Sequence, residues 1–132
     1  MFNSLKIFCA EDNCPSPPSI IIKSGSGGGI GKAIAHKFAS EGACVILSDN
    51  NLERLQAAKD EFIKAYGKDA VASDVLDVTD ANSIKKTMQT ACLQFGGLDI
   101  IVNNAGLSIS KTIEDHTEQD WDILYDVLVK ES

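Results

Sequence analysis

No stretch of this 132-residue sequence approaches the ~20 consecutive apolar residues that cross a bilayer, so no spanning helix is expected. The opening residues, Met1-Phe2-Asn3-Ser4-Leu5-Lys6, lack a basic segment followed by a long apolar core, and a secretory signal is not expected either. Basic side chains are scarce. Twelve Lys and Arg stand against nineteen Asp and Glu, a net charge of −7. That balance argues against nucleic acid or an anionic membrane surface as the main partner. It also means that any phosphate must be held by local dipoles. The four cysteines (Cys9, Cys14, Cys44, Cys92) are scattered without a Cys-x-x-Cys pair, and His36 and His116, the only histidines, lack ligand spacing. No metal centre is expected, and the cysteines read as reduced thiols of a cytoplasmic protein. What remains, 44% hydrophobic and 23% charged residues, is an ordinary soluble composition in a chain long enough for one domain with a real core.

Residues 1–18 end in Cys14-Pro15-Ser16-Pro17-Pro18, which is neither regular helix nor central strand, and read as an extended or disordered segment outside the fold. From Ser19 to Ser132 the pattern alternates strand and helix four times. Strands are expected at Ile20–Ser24, Cys44–Ser48, Ala70–Leu76 and Leu98–Val102, the last apolar enough to be buried on both faces. Helices are expected at about Gly29–Glu41, Asn51–Tyr66, from Thr79 or Asp80 to Phe95, and near Thr117–Lys130. Their apolar stripes are Ile30, Ile34 and Phe38; Leu52, Leu55, Phe62 and Tyr66; Ile84, Met88, Ala91 and Phe95; and Trp121, Leu124 or Tyr125, and Leu128. Such alternation indicates a parallel α/β sheet of order 3-2-1-4 with helices on both faces. The carboxyl ends of strands one and four then flank the switch point where ligands bind.

The segment Ser24-Gly25-Ser26-Gly27-Gly28-Gly29-Ile30-Gly31 stands at that point, between the first strand and the first helix. Glycines at 25, 29 and 31 permit a tight turn, close approach of backbone to an anion, and close helix–strand packing. The helix that follows directs free N–H groups and the positive end of its dipole at the ligand. Asp49 ends the second apolar run, 18 residues beyond Gly31. A dinucleotide fold places there the carboxylate that accepts from the adenosine ribose.

Three motifs occur in order: Gly25-x-x-x-Gly29-Ile30-Gly31, Asp77-Val78-Thr79-Asp80 and Asn103-Asn104-Ala105-Gly106. Together they resemble the short-chain dehydrogenase/reductase family over Ser19 to Lys130, with Trp121-Asp122 and Asp126-Val127 similar to its later helix. The resemblance implies a Rossmann-type fold, truncated before the later strands, in an NAD-dependent oxidoreductase. Hydride would pass between nicotinamide and a small alcohol or carbonyl substrate. It further implies that Gly25, Gly29 and Gly31 cradle the pyrophosphate with Ile30 packed on the sheet beneath it. Asp49 would bind the ribose hydroxyls, and Asp77 the adenine amino group with Val78 beside the ring. Asn103, Ala105 and Gly106 would hold the central strand and the nicotinamide-side ribose, and the family's usual homo-oligomer would follow.

The departures matter as much. Ser24 stands where the family usually has Thr, keeping the hydroxyl. Leu128 stands where the family has an Asn that supports its proton relay, and Asp126-Val127-Leu128-Val129-Lys130 is similar to the dehydrogenase part of bifunctional sugar-phosphate aldolase/dehydrogenases. The family's Tyr-x-x-x-Lys is absent: Tyr66, expected at a helix end on the adenine side, and Tyr125 have no lysine four residues on. No catalytic residue is therefore assigned. NAD is expected over NADP, because a carboxylate at Asp49 repels a 2′-phosphate and no Arg or Lys occupies Ser26–Gly28 or Asn50-Asn51. Two readings follow: the cofactor-binding half of an oxidoreductase, represented as a fragment or degenerate copy, or a non-catalytic nucleotide-binding or interaction module. An in-frame Tyr-x-x-x-Lys in the coding DNA beyond Ser132 separates them.

Overall fold

The computed structural model describes residues 19–129; the expectations for residues 1–18, Cys9 and Cys14 among them, and for Lys130 lie outside them. The elements follow in the order β1 (Ile20–Lys23), α1 (Gly29–Ser40), β2 (Cys44–Asp49), α2 (Leu52–Tyr66), β3 (Val71–Val75), α3 (Ala81–Phe95), β4 (Ile100–Val102) and α4 (Glu118–Leu128). All strand pairs are parallel and the sheet order is β3-β2-β1-β4, as expected. In register, Ile22 of β1 lies between Ile46 of β2 and Ile101 of β4.

Alternation along β2 sends side chains to two separate cores. On one face Val45, Leu47 and Val71 pack against Ala35 and Ala39 of α1 and Leu55, Ala58 and Phe62 of α2. On the other Ile20, Ile22, Cys44, Ile46 and Ala72 meet Ala91 of α3, with Phe95 and Leu98 at the border. Burial on both sides is why β1 and β2 read as continuous apolar runs. Truncating the fully buried Phe62 to Ala is expected to cost about 3–5 kcal/mol.

The buried stripe of α1 is Gly31, Ala35 and Ala39, one position on from the expected Ile30, Ile34 and Phe38. Small residues let the helix backbone approach the strands, so the larger ones are displaced to its flank. Ile30 is 74% exposed and does not pack on the sheet, which corrects that expectation. Likewise α3 buries Thr87 beside Ala91 while Met88 is left exposed. Thr87 is turned inward because its hydroxyl donates to Asp74 Oδ2 of β3 at 3.3 Å, beside Thr90 Oγ1 at 3.1 Å.

β4 is shorter than expected and, among the described residues, is an edge strand hydrogen-bonded to β1 alone. Ile101 is 47% exposed, so the expectation of burial on both faces does not hold. In α4, Thr117 and Asp120 form a reciprocal capping box. Of the expected stripe of that helix, Trp121, Tyr125 and Leu128 are exposed and Leu124 is half-buried. Cys44 is a buried free thiol whose pKa burial pushes up, and Cys92 is exposed.

Candidate functional site

A cavity of about 500 Å³ opens at the carboxyl ends of β1 and β4, within the range of small-ligand sites. Its floor is the glycine loop. β1 ends in Ser24, whose hydroxyl accepts from the N–H groups of Asn104 and Ala105, each at 2.9 Å, and donates to Val102 O at 3.4 Å. The Ser24 carbonyl accepts from Asn104 Nδ2 at 3.3 Å and from Nζ of the fully buried Lys23 at 2.6 Å. The end of β1 is thus stapled to the segment after β4.

Gly25 turns the chain away at φ +64°, in the left-handed region, where a Cβ would also lie 3.1 Å from Asn104 Nδ2. Farther along, Ser26 N donates to Ser48 O at 2.9 Å, and Gly27 N donates to Asp49 Oδ2 at 2.9 Å. A Cβ on Gly31 would stand 2.1 Å from the Gly25 carbonyl oxygen, so only glycine lets the helix start this close to the loop.

The start of α1 differs from the other helix starts. Asn51, Asp80 and Thr117 each cap their helix by accepting a backbone N–H, whereas Gly28 provides no side-chain cap to α1 and no acidic residue sits in its first turn. The first helical N–H groups therefore face the cavity without an acceptor among the described residues. Glycine caps, open space at Gly29 and a positive dipole end fit an anionic group such as a pyrophosphate.

Asp49 closes one end of the cavity. It is largely buried, with Oδ2 accepting from Gly27 N and Oδ1 from Asn51 N at 2.9 Å each. A carboxylate has about four lone-pair sites, so acceptor capacity remains toward the cavity it lines. Asp77 lines the same cavity. Its Oδ1 accepts from the hydroxyl and N–H of Thr79 at 2.6 and 2.9 Å, and these bonds hold its carboxyl below the usual carboxylate range. Oδ2 has no partner among the described residues, which leaves one anionic acceptor available.

Of the residues expected to bind cofactor, Gly25, Gly29, Ile30, Gly31, Asp49, Asp77, Val78, Ala105 and Gly106 line this cavity. Ser24 acts from behind it. Asn103 instead lines a second cavity of about 240 Å³ on the α3 side, with Ile22, Thr87, Met88 and Ile101. Strand alternation explains this: Asn103 shares the side of Ile101, and its neighbour Asn104 turns to the loop. Tyr66 lines neither cavity and meets His36 Nδ1 through its hydroxyl at 3.0 Å, beside the stacked rings of His36 and Phe62.

Sequence reasoning missed Asn104, Gly27 and Arg54. Gly27 packs against both Asp49 and Arg54, and among the described residues Arg54 is the one basic residue lining the cavity. Asn104 was within a recognised motif, so its neighbour's selection was a matter of side. Arg54 carries no signal in sequence, since it lies in the first turn of α2 and reaches the cavity only through the fold.

A short chain dehydrogenase family model matches residues 19–130. This chain belongs to the short-chain dehydrogenase family. It is 37% identical over 123 residues to the uncharacterized oxidoreductase YuxG of Bacillus subtilis, across 93% of this chain and 18% of that protein. An uncharacterized oxidoreductase of Staphylococcus aureus is 37% identical over 111 residues, 84% of this chain and 46% of the relative. Among solved structures, a short-chain dehydrogenase/reductase from Burkholderia phymatum in complex with NAD superposes with a TM-score of 0.80 at 25% identity, covering 86% of this chain and 40% of that one. L-Sorbose reductase from Gluconobacter frateurii, complexed with NADPH and L-sorbose, gives 0.77 at 32% identity, over 86% of this chain and 43% of that one. The chain thus spans less than half the length of these short-chain dehydrogenase relatives. Among the described residues, no helix is long and apolar enough to cross a membrane.

Proposed function

We propose that residues 19–132 form the nucleotide-binding unit of an NAD-dependent oxidoreductase acting on a small alcohol or carbonyl compound. The observation that carries this reading is the uncapped start of α1 over a glycine loop, aimed into a cavity bounded by Asp49 and Asp77. The pyrophosphate is assigned to the loop and the N–H groups of α1, the adenosine ribose to Asp49 and the adenine amino group to Asp77. When bound, the nicotinamide supplies or accepts the hydride; the residues here bind and orient it.

NAD is preferred in this reading, because Asp49 accepts two ribose hydroxyls and repels a 2′-phosphate. Such a charge-assisted contact is worth about 1.5–3 kcal/mol. Calorimetric titration of NAD and NADP tests it: Asp49→Ala is expected to narrow the gap, and equal or tighter NADP binding by the unsubstituted protein contradicts the preference. Hydride transfer also needs an acid/base. The two tyrosines lack a lysine four residues on, so the 132-residue polypeptide is expected to bind nucleotide without dehydrogenase turnover.

A finer reading is favoured by two observations. The Asp126-Val127-Leu128-Val129-Lys130 run, and a relative of which this chain spans only 18%, support the dehydrogenase part of a longer, bifunctional sugar-phosphate enzyme. Turnover of hydroxy-aldehydes by a full-length relative, against simple alcohols, tests that class of substrate. A homo-oligomeric, cytoplasmic protein is proposed with it.

A further inference from the structure

The apolar strand β1 ends in a charge. Lys23, its last residue, is fully buried. Lysine is almost never wholly buried unless its surroundings offset the lost hydration. In register with Leu47 of β2, Lys23 shares the sheet face that α1 and α2 cover. Its side chain runs toward the glycine loop, because Nζ donates to the carbonyl of the next residue, Ser24, at 2.6 Å. Asn104 Nδ2 donates to the same oxygen at 3.3 Å. The peptide bearing that oxygen leads into Gly25, which lines the larger cavity, whereas Lys23 stands behind the cavity wall. The Lys23 carbonyl in turn accepts from the buried Ser26 Oγ at 2.6 Å, so the loop folds back over the lysine's own backbone.

We propose that Lys23 is a positioning residue for the nucleotide, a positive charge beneath the glycine loop that draws the pyrophosphate onto the loop without touching it. The inference rests on the nucleotide reading above. Asp49 and Asp77 line the same cavity, in a chain whose net charge is −7, and both carboxylates oppose an entering dianion. An ammonium inside the protein offsets that opposition through a medium of low dielectric, where salt screens it little. It acts in two separable ways. The bond to Ser24 O fixes the peptide entering Gly25, which serves any ligand of the loop. The charge serves a ligand only in so far as the ligand is anionic.

The test is titration of the full chain, Lys23→Met and Lys23→Gln with adenosine, ADP-ribose and NAD, at low and at high salt. Lys23→Met keeps an unbranched side chain of similar length, and Lys23→Gln keeps an N–H donor; both lose the charge. Each is expected to weaken ADP-ribose and NAD about 5- to 10-fold, the scale of one charge acting through protein, with uncharged adenosine changed less than about 2-fold. The loss should persist at high salt, unlike that of a surface charge. Equal weakening of adenosine and ADP-ribose marks a merely structural lysine and overturns the proposal. Unchanged ADP-ribose binding, or a loss in Lys23→Met that Lys23→Gln restores, overturns it as well. If Lys23→Met unfolds by circular dichroism, Lys23→Gln decides between the same outcomes. A parent that binds none of the three ligands overturns the nucleotide reading, and this inference with it.

Discussion

The Ser24 hydroxyl accepts from two consecutive backbone N–H groups, those of Asn104 and Ala105, each at 2.9 Å. One side chain thereby fixes the end of β1 against the segment after β4, and with it the height of the glycine loop. Ser24→Ala leaves both donors without that acceptor, which is expected to cost about 1–3 kcal/mol and to weaken nucleotide binding. Ser24→Thr keeps the oxygen and should stay within about 1 kcal/mol of the parent. Urea unfolding of the three proteins checks this; equal loss in both variants contradicts the staple.

Two glycines of the loop are expected to answer differently to the same substitution. A Cβ on Gly31 meets the Gly25 carbonyl at 2.1 Å, whereas a Cβ on Gly29 meets nothing within 4 Å. Gly31→Ala must move backbone and should lose about 1–3 kcal/mol or more together with nucleotide affinity. Gly29→Ala, at the first position of α1, should fold as well as the parent. Matching stabilities for the two variants in thermal unfolding would show that the helix does not sit as close to the loop as described.

Much of this was legible in the sequence. Strand and helix order, sheet order and most of the cavity-lining residues follow from apolar periodicity and glycine spacing, because both are consequences of local backbone geometry. Ile30 was misplaced since periodicity ranks residues by hydrophobicity, while the close approach of α1 to the sheet selected Gly31, Ala35 and Ala39. The exposure of Ile101 was hidden for a related reason: an apolar strand reads the same whether or not a neighbour covers its edge. Arg54 was illegible because the fold alone brings it to Asp49.

Acid should act on α4 through one carboxylate. Lys111 Nζ lies 2.7 Å from Asp120 Oδ2, and with the Thr117 N–H and hydroxyl it holds Asp120 well below the usual carboxylate range. A depressed folded-state pKa stabilises above the unfolded value, about 3.9, and that contribution is lost as pH falls through the lower folded-state value. Stability should therefore drop from about pH 4 downward, with a shallower drop for Asp120→Asn. Thermal unfolding followed from pH 5 to pH 2 measures it; identical slopes for the two proteins contradict the assignment.

The free edge of β4 carries its own expectation. Among the described residues no strand pairs with its outer side, and such N–H and C=O groups beside an exposed Ile101 form a template for strand pairing. The 132-residue polypeptide should self-associate, and Ile101→Lys should shift it toward monomer. Light scattering across a concentration series checks the pair, and a clean monomer for the parent counts against an open edge.

The central claim is that a nicotinamide dinucleotide occupies the cavity over the start of α1. Backbone amide shifts recorded during an NAD titration test it residue by residue. The account predicts saturable changes at Gly25, Gly29, Gly31, Asp49 and Asp77, with His36 and Tyr66 unmoved. Absence of saturable change, or changes centred on the α3 side around Met88 and Asn103, would contradict it.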